Sequence, residues 1–561
     1  MNWAKFLLIA AITASAWAQT STTSKEVETV YPDAHAFYID VHRNPELSGH
    51  ETQTAAKLAA RLRSLGYEVT EHVGGTGVVA VLKNGPGPTV MFRTELDALP
   101  VEEKTGLAYA STMRTKDDAG RDVPVMHACG HDLHMAAISA TAAIMVNSKE
   151  TWHGTLMLIG QPAEETISGA KAMLADGFLS RFPRPDVVLA LHVGNALPAG
   201  RVGIVSGVYD TNADSLHITI YGKGGHGASP HTTVDPIVIA ARTILALQTI
   251  ASREVKPGEM VVITVGYIHA GTKNNIIPDQ ADLGLTVRTY KAEVRKQVLT
   301  AITRISKAEA EAAGAAREPS IERYEATDAV YNNPALAQRL RGPLEAAIGK
   351  ENVVTEDPIT ASEDFSYFVE QGIPGFYFSL GGANPEKYAQ SKAAGTSLPS
   401  NHSPLFAPDV DPALHTGIAA EVAVLRNLLS GSADELRKLS ARKRKRPTGT
   451  TDPTLASAGE WQLPHSLAGE CKHGIRHRRC DRRNTGFTQP AGFLVALDKV
   501  DLHFRHVAHA QHLVAIKIRL LHRTVVNGDC PCECRAQAVG DGTLALCFCA
   551  IGIDDGPAVH S

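Results

Sequence analysis

The stretch Met126-His127-Ala128-Cys129-Gly130-His131-Asp132-Leu133-His134 crowds thiolate, imidazole and carboxylate donors into a few positions. Thiolate and imidazole suit borderline divalent ions, and the glycine between Cys129 and His131 lets the backbone bend so that both face one ion. Alone, such a cluster also reads as a polar turn. A second candidate is Glu164-Glu165 in Gln161-Pro162-Ala163-Glu164-Glu165, directly after the apolar run Thr155 to Ile159. That run reads as a strand, so both carboxylates are expected at its carboxyl end, where open α/β sheets put their sites. Neighbouring side chains leave an extended backbone in opposite directions, so one carboxylate can hold metal while the other turns to a water. His192 closes the run Val187 to Leu191 and is expected at the same edge, and His402 in Asn401-His402-Ser403-Pro404 adds another imidazole. Each histidine alone has an ordinary structural reading. Together Cys129, His131, Glu165, His192 and His402 offer five donors of the types that two hydrolytic metal ions use.

The elements that must position these donors are legible as alternating patterns. From about 33 to 205, strand-like runs (Gly77 to Leu82, Thr89 to Phe92, Thr155 to Ile159, Val187 to Leu191) alternate with helical patterns such as Thr52 to Leu65 and Leu133 to Val146, which predicts an α/β sheet covered by helices. Gly66 stands where a helix C-terminal glycine belongs. A second unit at 212–324 starts with the alternation Leu216, Ile218, Ile220 and a helix opened by Asp235-Pro236. The runs Val261 to Tyr267 and Leu283 to Arg288, then a helix with Val294, Val298, Ile302 and Ile305 on one face, complete a ferredoxin-like β-α-β-β-α order. The α/β pattern resumes with a helix near 335–348, a strand at Phe376 to Leu380 and a closing helix near 412–430.

With 561 residues, two or more domains are expected. The charges, 55 basic against 59 acidic for a net of -4, give no electrostatic argument for a nucleic-acid or membrane partner and favour small-molecule chemistry. Lys5, the apolar run Phe6 to Ala14 and Ala16-Trp17-Ala18 form a signal-peptide pattern at 1–18, predicting a periplasmic or secreted protein. Cys129 is the only cysteine before Cys471, while seven follow; a lone thiol in an exported protein has no disulfide partner, which is a further argument for metal ligation. After 430 a basic run through Arg446 leads into a segment holding nine of the 24 histidines. Residues 431–561 are read as an unassigned extension, disordered rather than a Cys/His module, because no paired C-x-x-C spacing occurs.

The chain resembles the amidohydrolase branch of the aminoacylase-type metallopeptidase family, which includes hippurate hydrolases, N-acyl-amino-acid amidohydrolases and auxin-conjugate hydrolases. The matching stretches, in order, are Pro45-Glu46-Leu47, Arg93 to Pro100, His127 to His134, Gln161 to Glu165, Leu191-His192-Val193, Gly222 to Pro230, Asn275 to Asp279, Glu363-Asp364-Phe365-Ser366 and His402-Ser403-Pro404. The resemblance implies a zinc-peptidase-like α/β catalytic domain (27–211 and 325–430), with a central mixed sheet and helices on both faces. It implies that the 212–324 insert is a lid that also mediates homodimerisation. Two divalent ions, zinc or manganese, would be held by Cys129, His131, Glu165, His192 and His402, with metal-bound water as nucleophile and Glu164 as general base. Asp97 would orient the ligands, and His226, Asn275 and Arg288 would hold the substrate carboxylate or the oxyanion. Two departures stand out: Glu95 replaces the usual Asp, and Leu133-His134-Met135 replaces smaller residues.

The expected reaction is hydrolysis of an N-acyl or N-aroyl amino acid to a carboxylic acid and a free amino acid. One alternative is a metallo-dipeptidase or aminopeptidase; the absence from the sequence of an obvious acidic group for an α-ammonium argues for acylated substrates. Another is a non-catalytic periplasmic binding protein, against which the intact Glu164 argues, since a binder needs no base.

Overall fold

The computed structural model describes residues 24–441 and, further on, the strands Val500–Phe504, Ile516–Leu520, Gln537–Val539 and Gly542–Leu544. The expected signal peptide lies outside the described residues, as does most of the C-terminal extension. The chain separates into two units, at 1–470 and 471–561. In the second, Val500–Phe504 pairs with Ile516–Leu520 and Gln537–Val539 with Gly542–Leu544, both antiparallel.

The first unit is built on a ten-stranded mixed sheet. Its centre is four parallel strands in the order Gly154–Gln161, Thr89–Glu95, Val187–Pro198, Gly375–Ala383, so their carboxyl ends share one edge. The strands are apolar up to their carboxyl ends because both faces are covered. Val187, Leu189, Leu191 and Val193 point into one core cluster, and Val188 and Ala190 into the opposite one, as the period of two requires. The first cluster is roofed by the helices Thr52–Ser64, His131–Asn147, Pro334–Ile348 and Val410–Leu429. The other is covered by the short helices Gly169–Ala175, Phe178–Arg181 and Ser366–Glu370.

Thr52–Ser64 stops where expected, with Gly66 at φ +88°. The helix Ala433–Ala441 lies past the expected boundary at 430, and its Leu436 joins the main core. The strand Val187–Pro198 also outruns its apolar segment, so His192 lies within it rather than at its end. The site edge is unchanged, because Arg93 pairs with Ala190, which puts the end of Thr89–Glu95 level with His192.

The insert is a four-stranded antiparallel sheet with the helices Pro236–Thr249 and Ala292–Ala312 over its own core. Asp235 caps the first helix by accepting from Ile237 N. The expected helix face Val294, Val298, Ile302, Ile305 is buried. A last strand, Ser320–Thr327, completes a β-α-β-β-α-β order. It was not readable beforehand because Ser-Ile-Glu-Arg-Tyr-Glu-Ala-Thr has no apolar alternation; pairing at a sheet edge, with only one neighbour to match, tolerates that.

Candidate metal centre

Cys129 and His131 flank Gly130, which opens the helix His131–Asn147 at φ +90°, and a Cβ there would overlap the Val193 side chain. Glycine therefore admits both the left-handed turn and the close approach of the next strand. Two imidazole tautomers are fixed by neighbouring carbonyls. His131 Nδ1 donates to Asp97 O at 2.8 Å, and His192 Nδ1 donates to Val193 O at 2.9 Å. Both rings thus turn an Nε2 lone pair inward, His192 Nε2 lying 3.4 Å from Cys129 Sγ. Asn401 Nδ2 donates to Cys129 O and Val193 O at 2.9 and 3.0 Å, clamping the two donor strands. His402 takes a positive φ of +69°, uncommon for a residue with a side chain, while its N donates to Ala128 O at 2.8 Å. Its Nε2 is 3.3 Å from Glu165 Oε2.

Glu164 and Glu165 do not diverge as an extended backbone would make them. They sit in a turn between Ala163 (φ +48°) and Ile167 (φ +54°), and both carboxylates approach His131 Nε2, at 3.8 and 4.0 Å. All five expected donors and Glu164 therefore converge in overlapping clusters. Among buried polar atoms, His131 Nε2 and Glu165 Oε1 have no hydrogen-bond partner. A buried lone pair and a buried carboxylate oxygen left unsatisfied side by side are what a cation would complete. The donor set of thiol, three imidazoles and carboxylate fits divalent ions.

The electrostatics point the same way. Burial, then Glu165 and Glu164, pushes the Cys129 thiol far above its usual range, and burial, then Glu363 and Glu165, raises Glu164. His192 falls to about 4 through burial and His131. Asp97 Oδ2 accepts from Ser48 Oγ at 2.7 Å and Glu165 N at 2.9 Å, so Asp97 braces His131 and Glu165 together. Burial alone would raise Asp97, but the bond and charge of His131 together with the donors Ser48 Oγ and Glu165 N outweigh that and hold it low.

Of the expected substrate contacts, Arg288 lines a cleft of about 770 Å³ that also contains Cys129, Glu164, Glu165, His192 and His402. His226 and Asn275 lie side by side at a small two-stranded antiparallel ribbon, with Gly227 N donating to Asn275 O at 2.9 Å, but they do not line that cleft. Sequence reasoning gave no role to Arg93, Gln161, Glu363 and Asp364. Arg93 is fully buried and donates to Gln161 Oε1 (2.9 Å), Glu363 Oε1 (2.6 Å) and Glu95. Gln161 Nε2 donates to Asp364 Oδ1 at 2.6 Å, and Tyr377 Oη to Glu363 Oε2 at 2.8 Å. This network forms the floor beneath Glu164. The only prior signal for it was that Arg93, Gln161 and Glu363-Asp364 fell in matching motifs.

Residues 91–398 match the model of peptidase family M20/M25/M40. Over 66% of this chain and 89% of the relative, the sequence is 37% identical to thermostable carboxypeptidase 2 of Saccharolobus solfataricus. It is 36% identical to N-acetyl-L-cysteine deacetylase of Bacillus subtilis, over 61% of this chain and 78% of that one. The crystal structure of a dinuclear metal-binding M20 peptidase from Bacillus subtilis matches with a TM-score of 0.58 at 28% identity, covering 71% of this chain and 98% of that one. The chain belongs to the M20/M25/M40 peptidase family, a family of metal-dependent amidohydrolases and peptidases, and it is a hydrolase acting on amide bonds.

Proposed function

We propose that the protein hydrolyses N-acyl amino acids to a carboxylic acid and a free amino acid, with Cys129, His131, Glu165, His192 and His402 holding two divalent ions, zinc or manganese. The observation that carries this is the pair of unsatisfied buried atoms, His131 Nε2 and Glu165 Oε1, facing each other beside Glu164. When bound, the ions activate a water and polarise the amide carbonyl. Glu164 takes the proton of the attacking water and delivers it to the leaving nitrogen, within reach of the cluster and beside the charges of Arg93, Glu363 and Asp364. Asp97 holds His131 in the tautomer that leaves Nε2 free. Arg288, with Nη1 committed to Ser362 Oγ at 2.7 Å, keeps further donors for the substrate carboxylate. His226 and Asn275 belong to the lid and join the substrate when the insert approaches the cleft. The N-acetyl-L-cysteine deacetylase supports acylated substrates by its similarity. The leader pattern supports export, which makes external conjugates the substrates.

The test is release of free amino acid from N-acetyl, N-benzoyl and N-indoleacetyl amino acids, with and without chelator and with added zinc or manganese. Chelator-sensitive release is expected. Glu164→Gln is expected to lose about 10²–10⁴-fold in kcat while keeping its bound metal; a folded, metal-loaded variant with full turnover would remove Glu164 from the mechanism.

A further inference from the structure

The cleft wall beyond His192 carries two acids that the reaction does not use, Asp210 buried and Glu356 half-buried. The segment 356–361 runs along 204–211, joined by Glu356 N to Ile204 O (3.1 Å), Ile359 N to Tyr209 O (2.9 Å) and Thr211 N to Ala361 O (2.9 Å). Across this seam lie Glu356 and Asp210, both lining the cleft. Asp210 is fully buried; its Oδ1 accepts from Val330 N at 2.6 Å, but Oδ2 has no hydrogen-bond partner. Glu356 Oε2 is likewise buried and unpartnered, while the same carboxyl also bonds Ser379. The Glu356 carboxylate lies so close over Gly203 that a Cβ there would overlap it, so the wall is shaped around the acid. Between them Tyr209 Oη bonds Ser379 Oγ at 2.9 Å, and Ser379 is in register with His192 on the adjacent strand. Strands are about 4.8 Å apart, so this wall is within reach of one end of a substrate held at the metal centre.

Burial holds both carboxyls above their usual range, the state expected of acids awaiting a counter-charge. Arg288 attracts Asp210 but donates to Ser362, and the Lys392 ammonium rests 5.3 Å from the Tyr388 ring. Two unspent acceptors in a closed wall have little use in an apolar acyl pocket and suit a cationic hydrogen-bond donor.

We propose that Asp210 and Glu356 form a subsite for a positively charged nitrogen of the substrate, in the same cleft as the Arg288 that takes its carboxylate. This rests on the hydrolase reading above and narrows it to substrates of both charges. The nitrogen comes either from a basic side chain or from a free α-ammonium, and two isosteric pairs separate these sources.

The metal-loaded full chain is assayed for kcat/KM on N-benzoyl-arginine against N-benzoyl-citrulline, and on glycyl-phenylalanine against propionyl-phenylalanine. The charged member of one pair is expected to be favoured by roughly tenfold or more, the ratio falling toward one in Asp210→Asn, Glu356→Gln and Gly203→Ala. Because a ratio is read, partial loss of folded protein does not distort it. Preference in the first pair assigns a basic side chain, and preference in the second an α-ammonium. Parity of both pairs in the wild type, or a preference that survives all three substitutions, overturns the subsite. Cleavage of glycyl-phenylalanine alone sinks the N-acyl reading but supports the subsite. If nothing is cleaved, calorimetric Kd values for arginine against citrulline, and for glycyl-phenylalanine against propionyl-phenylalanine, decide by the same ratios.

Discussion

Glu95, which departs from the resembling family, and His134, whose neighbours Leu133 and Met135 depart from it, are each other's partners. His134 Nε2 accepts from Val193 N at 2.8 Å, so its Nδ1 carries the proton and donates to Glu95 Oε2 at 2.8 Å. Burial, then His192 and His131, holds His134 neutral, as this arrangement needs. With both nitrogens spent, His134 is not free to bind metal, although it lies in a cluster with Glu95 and His131. Its ring packs edge-on against His192, centroids 4.7 Å apart, and it grips the peptide that follows. It therefore positions the proposed ligand His192. Glu95→Gln and His134→Gln are each expected to weaken metal binding about 10–100-fold, the range typical of outer partners of metal ligands, measured by competition with a chelating dye. The double variant should be little worse than either single one; fully additive losses would mean that the pair does not act together. The sequence flagged both positions but not their link, because the thirty-odd residues between them hide which side chains meet. It missed Asp210 and Glu356 for the same reason: isolated acids become a subsite only when two strand ends are brought side by side.

At the scale of elements, period and punctuation predicted most of the catalytic sheet. Val187 to Leu191 shows why: a central parallel strand must be apolar on both faces, and that is visible in a single run. Turn geometry was not visible, so the convergence of Glu164 and Glu165 was misread as divergence. The first helix, 24–43, shows another limit: besides Val27, Ala34, Phe37, Tyr38 and Val41, which it buries in the main core, it docks through a buried polar contact that no apolar pattern announces. His42 Nδ1 donates to Asp132 Oδ2 at 2.6 Å and Nε2 to Glu103 Oε1 at 3.2 Å. The ring is thus a cation joining this helix to the first turn of His131–Asn147. Burial opposes that charge, but the two carboxylates prevail and raise His42 to about 9. A folded value above the unfolded one, about 6.5, means the stabilisation is full below pH 6.5 and is lost as pH rises through 9. It amounts to about 3 kcal/mol at most. Urea unfolding at pH 6 and pH 10 should therefore show the gap between wild type and His42→Gln narrowing at the higher pH. A constant gap would mean that His42 is neutral throughout.

At the scale of the whole molecule, the insert leaves one side uncovered. Val261–Ala270 is an edge strand with a single neighbour, exposing Val262 and Ile268, and the helix Pro236–Thr249 exposes Val238 and, at 72%, Leu245. An apolar edge left open invites strand pairing with another chain unless something covers it. The dimerisation implied by the family resemblance would cover it with a second copy's matching edge, a self-complementary arrangement. Light scattering on the purified protein is then expected to give a dimer, and Leu245→Lys with Ile268→Lys a monomer, since each buries a charge at the contact. A wild-type monomer at micromolar concentration would refute this. The same variant decides how His226 and Asn275 reach a cleft they do not line. If the insert closes over its own catalytic domain, the monomer keeps its kcat/KM. If a second copy delivers the ribbon of His226 and Asn275 instead, the monomer loses activity while its metal affinity stays unchanged, because every proposed metal ligand lies in the catalytic part of one chain.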